Sequence, residues 1–391
     1  MLTVTTPLDE ADVYRYAHLV SQSLGLPLDR IPAWSQAVGW SNMRLIYADD
    51  AVVGGLAILP IAQWFGGKPV TMAGIAAVAI APEHRGKGFG SRLMRVVLNE
   101  LREGGLPLAT LYAATQPVYR RVGFEPAGHY TRYEMPLAAI DVHDTRLAMQ
   151  PITLANVGQL AELDEARAAT ANGLLRRNAF LWERLFREPP DSPHAYGYLV
   201  MNEGRPEGYL LYAHRPGGRL LHDVVVRDMV ALTQAAGRRI WTFLADHRSR
   251  VDLVTWSGPP HEPMLAHLVE RQARIGEQTP WLLRLVDVPA ALASRGYAPK
   301  VTVDCHLDVC DETLVWNHGC FHVQIAHGAA RVDPGGDGTV RITVNALAAL
   351  YSGHLSPWDL RGLGMIEGPD VALADLAIAF AGPAPWLPEI F

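Results

Sequence analysis

Ala79-Ile80-Ala81-Pro82-Glu83-His84-Arg85-Gly86-Lys87-Gly88-Phe89-Gly90-Ser91 joins an apolar strand to a helix, and the chemistry of the whole chain turns on it. Glycines let a backbone take positive φ and approach a ligand closely. The unpaired N–H groups of a helix start, aided by the helix dipole, favour a phosphate group. Arg85 and Lys87 add positive charge, and Ser91 adds a hydroxyl donor. The stretch reads as an anion site for a nucleotide-like ligand. A dinucleotide fingerprint G-x-G-x-x-G counted from Gly86 needs glycine where Ser91 stands, and an acid at the end of the next strand, which is missing. A Walker loop needs a closing Gly-Lys-Ser/Thr, and Gly90-Ser91-Arg92 does not supply it.

The neighbouring segments fill in a first unit, residues 1–137. Thr6 caps a helix with Pro7 in its first turn and Val13, Tyr16, Val20 and Leu24 as its buried stripe. Met43 to Ala48 and Val52 to Leu59 read as a hairpin turning at Asp49-Asp50, and Ile75 to Ala81 as a further strand. A helix runs from Ser91 to Glu103, with Leu93, Val97 and Leu101 at i, i+4 and i+8, and Gly104-Gly105 stops it. Leu108 to Ala113 is a strand, Val118 to Arg121 a helical turn and Tyr130 to Met135 a last strand. The central turn fits Arg/Gln-x-x-Gly-x-Gly/Ala from Arg85 to Gly90, and Tyr119 to Phe124 gives Tyr-x-x-x-Gly-Phe. On these motifs the unit resembles the GNAT acetyltransferases, in which that turn holds the pyrophosphate of coenzyme A.

A second unit, residues 138–280, repeats the order without the basic glycine turn. It has a helix from Leu154 to Ala169, strands at Ala195 to Met201 and Gly208 to His214, a long helix from Val226 to Leu244 and a strand from Val251 to Trp256. A third unit, residues 281–391, opens with Trp281 to Pro289, where Asp287 caps a helix through Ser294. Strands follow at Val301 to Val309, Leu314 to Trp316, Phe321 to Ala326 and Val340 to Val344, with helices at Ala346 to Tyr351 and Val371 to Phe380. The fold class expected is α/β (α+β).

With the Trp281 to Pro289 stretch and the terminal Phe391 added, the whole chain resembles the enhanced intracellular survival (Eis) family of acetyltransferases. That resemblance implies two tandem GNAT-like domains, the second without a cofactor turn, followed by a sterol-carrier-protein-like domain. It implies acetyl-CoA as co-substrate, with contacts from Val78, Ala79, Ile80, Arg85, Gly86, Lys87, Gly88, Phe89, Gly90, Ser91, Ala114 and Thr115. It further implies Tyr119 as the acid, the α-carboxylate of Phe391 as the base, a hexamer, and an amine acceptor that is an aminoglycoside-like small molecule or a lysine side chain.

Elementary chemistry agrees with parts of this picture. A phenol with a pKa near ~10 is suited to protonate a departing thiolate, and backbone N–H groups of a strand can polarise a thioester carbonyl. The tail Pro383-Ala384-Pro385-Trp386-Leu387-Pro388-Glu389-Ile390-Phe391 is proline-stiffened and apolar, which reads as a docked segment. Ile390 stands where the family often carries an acid, and Glu389, one residue earlier, faces the other way in an extended tail. This weakens the case for aminoglycosides and opens one for a smaller or more apolar amine. A non-catalytic acyl-CoA or lipid-binding module is the alternative reading.

Composition sets the outer limits. The 391 residues are 49% hydrophobic and 19% charged, as in ordinary globular proteins. A net charge of -6 disfavours nucleic acid as a partner. No run of about 20 apolar residues offers a membrane span, and no secretory leader opens the sequence, so the cytoplasm is the expected location. Cys305, Cys310, Cys320, His318 and His322 lack paired zinc-ligand spacing; Cys305 alternates into an apolar strand face, and no metal is expected.

Overall fold

The computed structural model describes residues 2–186, 195–216 and 222–391. The first unit contains β1 (Leu2–Thr5), α1 (Glu10–Leu24), α2 (Ile31–Val38), β2 (Met43–Ala48), β3 (Ala51–Phe65), β4 (Lys68–Ile80), α3 (Phe89–Glu103), β5 (Leu108–Tyr112), α4 (Gln116–Arg120) and β6 (Glu125–Pro136). Helix α1 begins later than Thr6-Pro7 suggests. Asp9 is its cap, accepting the Asp12 N–H at 2.9 Å, and Glu10 and Asp12 follow in the first turn. Val13, Tyr16, Ala17 and Val20 are buried, whereas Leu24 is exposed. The β2–β3 hairpin turns at Asp49 and Asp50, both at positive φ, the geometry that matches strand twist in a two-residue turn.

The second unit contains β7 (Ala148–Ile152), α5 (Val157–Ala168), β8 (Leu175–Arg176), α6 (Ala179–Phe186), β9 (Ala195–Asn202), β10 (Arg205–Pro216), β11 (His222–Ala231), α7 (Gln234–Ala245), β12 (Val251–Ser257) and β13 (Arg274–Leu285). The long helix expected from Val226 to Leu244 is instead strand β11 followed by α7. Val224, Val226, Asp228 and Val230 are buried in strict alternation, a period of two. Thr233 then starts the helix by accepting the Ala236 N–H.

Strand β13 leaves the second unit and inserts into the first, between β5 and β6. Trp281 pairs with Tyr112 on one side and with Gly128 on the other. The expected limit between residues 280 and 281 therefore falls inside a strand. Because β6 also pairs with β12, the described strands of the two units form one 13-stranded sheet. Trp281 to Leu285 are fully buried, because both sheet faces are covered there. Leu282 joins the core under α3, while Trp281, Leu283 and Leu285 join the core shared with the third unit.

The third unit contains α8 (Val288–Ser294), capped by Asp287, then β14 (Val303–Cys310), β15 (Gly319–Ala326), β16 (Ala329–Pro334), β17 (Val340–Thr343), α9 (Val344–Ser352), α10 (Pro357–Gly362), β18 (Ile366–Glu367) and α11 (Asp370–Ala379). Its described sheet has the order β16-β15-β14-β17-β18. Leu314 to Trp316 is not a strand. Asp311 accepts the N–H groups of Thr313 and Leu314, and this turn leads the chain into a 3-10 turn at Val315–Asn317. Among the described residues no helix is long and apolar enough to cross a membrane.

Units one and three are pinned together by a buried ion pair. Arg284 of β13 donates to Asp311 at 2.6 Å, and both side chains are essentially without exposure. Removing one partner of such a pair strands the other charge. Arg284→Met is therefore expected to destabilise the protein by about 3–5 kcal/mol. The double variant Arg284→Met/Asp311→Leu is expected to recover a large part of that loss. Urea denaturation of the parent and the two variants checks both statements, and an Arg284→Met variant as stable as the parent overturns the first.

Candidate active site

Strand β4 is irregular where the chemistry is expected. Gly55 pairs with Ala79 and Ala57 with Ala76, so Leu56 alone faces both Ala77 and Val78. This is a β-bulge, which re-aims the backbone groups of the longer strand. Ala77 sits at φ 51, a left-handed conformation that costs an L residue energy. Tyr16 of α1, fully buried, donates its hydroxyl to the Ala77 carbonyl at 2.6 Å and holds that peptide in place. On the other side of β4 the parallel ladder with β5 stops at Ile75–Leu111. β5 ends at Tyr112 while β4 runs on to Ile80, so the Ala76 to Ile80 stretch of that edge is left without strand pairing among the described residues. Val78 and Ile80 are half-buried and Ala79 is buried.

The glycine turn lies at the mouth of this split. Gly86 (φ 77) and Gly88 (φ 81) adopt the left-handed conformation that glycine tolerates. Helix α3 starts at Phe89, two residues before the position read from sequence, and no side chain caps it. Its first N–H groups thus lack a side-chain acceptor, which suits a phosphate. Arg85, Gly86, Lys87 and Gly88 are exposed, and Phe89, Gly90 and Ser91 are half-buried. Arg85 is fixed by hydrogen bonds to the Ile80 carbonyl (3.2 Å) and to the Ser23 hydroxyl (3.0 Å). Ala114 and Thr115 are exposed where β5 ends and α4 begins.

Tyr119 closes α4 and is buried in the core that also holds Ile75 and Leu111. Its carbonyl accepts the N–H groups of Val122 and Phe124, and its ring meets Phe124 edge-on. Burial pushes its phenol up to about 12, and Tyr16 is raised by burial and by Tyr119 nearby. At neutral pH Tyr119 is therefore protonated, and burial makes its phenol a weaker acid than the free side chain.

The tail crosses the sheet to reach the same strand. Trp386 bridges to His129 of β6, and Leu387 N–H donates to the His129 carbonyl at 3.0 Å. The Tyr112 hydroxyl donates to the Glu389 carbonyl at 2.9 Å, and Arg184 donates to the Ile390 carbonyl at 2.6 Å. The Phe391 ring rests on Gly74 of β4, where an added Cβ would come within 2.9 Å of it. Ala76, Leu59, Val38 and Trp34 surround this end. Residues as distant in sequence as Val78, Tyr119 and Phe391 are thus gathered around one strand and its split.

Glu389 turns inward. Its carboxylate meets Arg177 at 2.5 Å, in a buried cluster that includes Arg167, Asp164, Asp228 and the Tyr209 hydroxyl. Burial pushes the Glu389 carboxyl up, while Arg177 is held well above its ordinary value by the carboxylates around it, Asp228 foremost. Beside the tail lies a cavity of about 320 Å³ with Arg132, Arg184, Arg215 and Arg227 on its walls. Tyr16, Arg177 and Arg184 had no signal as site residues in the sequence. Tyr16 reads there as one more apolar-stripe position, and the two arginines belong to no motif.

Comparison with known proteins agrees with this architecture. A model of the acetyltransferase (GNAT) domain matches residues 6–127, a second such model matches residues 173–285, and a sterol carrier protein domain matches residues 288–388. An uncharacterized N-acetyltransferase of Streptomyces griseus is 31% identical over 358 residues, covering 83% of each chain. The N-acetyltransferase Eis of Mycobacterium tuberculosis is 28% identical over 335 residues, covering 80% of this chain and 79% of that protein. The crystal structure of a GCN5-related N-acetyltransferase from Anabaena variabilis superposes with a TM-score of 0.95 at 34% identity, over the whole of both chains.

The buried His354 makes stability sensitive to acid. The His354 ring packs edge-on against His129, 5.2 Å away, and burial followed by the charge of His129 lowers His354 to about 4. A histidine with a depressed pKa in the fold contributes fully above its unfolded value near ~6.5 and loses that contribution as pH falls toward the folded value. The melting temperature is expected to drop between pH 6.5 and 4 more steeply in the parent than in His354→Gln. Parallel profiles for the two proteins would remove His354 from this role.

Proposed function

From the premise that this chain belongs to the Eis-like family of GNAT N-acetyltransferases, we propose that it transfers the acetyl group of acetyl-CoA to the nitrogen of a primary amine. The observation that carries this reading is the β4–β5 split, opened at Ile75 and flanked by an uncapped helix start, Tyr119 and the docked Phe391.

In this reading the pyrophosphate of coenzyme A lies on the turn Arg85 to Ser91, and Ala114 and Thr115 flank its pantetheine arm. The thioester runs along Val78 to Ile80, where a bulge N–H polarises its carbonyl. The neutral amine attacks that carbonyl, a new C–N bond forms, and the C–S bond breaks. Tyr119 gives its proton to the leaving thiolate, and the α-carboxylate of Phe391 takes the proton released by the amine. Holding both reactants in one cleft supplies much of the acceleration.

The acceptor is proposed to be a primary amine of a small molecule or peptide, and not a polycation. Glu389 is engaged by Arg177, and Arg132, Arg184, Arg215 and Arg227 stand among the residues around the cavity beside the tail, with Arg132 paired to Glu277 and Arg215 to Asp223. A screen for thiol release from acetyl-CoA should include aminoglycosides, polyamines, amino acids and lysine peptides. It is expected to give its highest kcat/KM outside the aminoglycosides and polyamines. Binding of acetyl-CoA without thiol release for any amine would favour a non-catalytic module instead.

Tyr119→Phe is expected to lower kcat by about 10²-fold or more while leaving acetyl-CoA affinity within about twofold. An unchanged kcat removes Tyr119 from the proton transfer. Tyr16→Phe keeps the packing and removes the hydrogen bond to Ala77. It is expected to reduce kcat by about tenfold, the cost of a displaced carbonyl-polarising donor, with little change in KM for acetyl-CoA. Deletion of Phe391 is expected to abolish turnover, and full activity in that variant would rule out its carboxylate as the base.

A further inference from the structure

The third unit carries a set of side chains that acyl transfer does not use. Along β14, Val303, Cys305, Leu307 and Val309 face the core, so Asp304 and His306 face outward. On β15, His322 lies directly opposite His306, and Gln324 opposite Asp304. One Asp304 oxygen, Oδ1, stands 2.7 Å from His322 Nε2 and 3.6 Å from His306 Nε2. The donor atoms of the three residues all lie within 4.8 Å of one another.

The groups behind these atoms are also arranged. Gln324 donates to the second Asp304 oxygen at 3.0 Å, which leaves Oδ1 turned to the histidines. His306 Nδ1 accepts the Asp337 backbone N–H at 3.0 Å and lies 3.4 Å from the Asp337 carboxylate. Asp337 is in turn held by the backbone N–H and the hydroxyl of Thr339. The two imidazole rings stack with centroids 4.4 Å apart.

We propose that Asp304, His306 and His322 form a binding site for a divalent transition-metal ion of the zinc type. An Asp-x-His pair on one strand with a cross-strand histidine places two imidazole nitrogens and one carboxylate oxygen on the same face of a rigid ladder. Imidazole selects zinc-like ions over magnesium or calcium. Ligands bound at 2.0–2.1 Å in a tetrahedron sit about 3.4 Å apart. The 3.6 Å separation is already close to this, and the 2.7 Å one needs to open by well under an ångström. With the ion on His306 Nε2, the ring proton moves to Nδ1, the hydrogen bond from the Asp337 backbone N–H is given up, and the Asp337 carboxylate, 3.4 Å away, accepts the proton, a carboxylate–histidine–metal relay. Water completes the coordination.

The test uses the full chain, stripped with a chelator and titrated with Zn²⁺ by calorimetry near neutral pH. One Zn²⁺ per chain is expected, with Kd of about 10 µM or tighter. His322→Gln and Asp304→Asn are each expected to weaken binding at least tenfold, while His18→Gln, on an exposed face of α1, leaves it unchanged. Zn²⁺ should raise the melting temperature of the parent and not that of His322→Gln. Co²⁺ in place of Zn²⁺ should give visible absorption bands that His322→Gln loses. Absence of binding at about 1 mM Zn²⁺, or binding indifferent to both ligand substitutions in variants that still melt cooperatively, overturns the proposal.

Discussion

The insertion of β13 between β5 and β6 is the constraint on which the rest of the molecule depends. Without it, β5 has no partner on its outer edge, and β6 does not connect to the first unit's sheet. The inserted segment also carries Trp281, Leu283 and Leu285 into the core beneath the third unit and Arg284 into its ion pair with Asp311. One strand thus fixes the placement of all three units. The tail can cross from His129 to Gly74 because these strands lie in register around β13.

The two GNAT-like units differ at one helix start. In the first, α3 begins at Gly88 with no capping side chain, and its N–H groups remain available. In the second, α7 begins at Thr233, whose hydroxyl accepts the Ala236 N–H. A helix start satisfied by its own side chain offers less to a phosphate. The second unit has also given its last strand to its neighbour and uses Arg177 and Arg184 to hold the tail.

Much of this could be read in the sequence wherever the signal was local. The Arg85 to Gly90 turn, the i, i+4, i+8 stripe of α3 and the Asp287 cap depend on residues within a few positions of one another. Where tertiary pairing decides, local reading failed. His222 to Ala231 alternates with period two and pairs with strands on both sides, yet Val226, Met229 and Val230 also stand at i, i+3 and i+4, as on a helix face. Trp281 to Leu285 is buried on both faces and shows no alternation, so sequence alone could not say which sheet it enters. The bulge at Ala77 and the hydroxyl of Tyr16 beneath it are set by a contact across 61 positions, which no periodicity records.

The inward clamp on Glu389 bears on how such a chain can change over generations. A domain without the basic glycine turn looks free to drift. Here its Arg177 and Arg184 grip the segment that ends on Gly74, so a substitution there shifts a residue at the other domain's cleft. Selection for turnover then acts on positions far from any reacting atom. An unrelated domain in its place would lack the two arginines that hold residues 383–391.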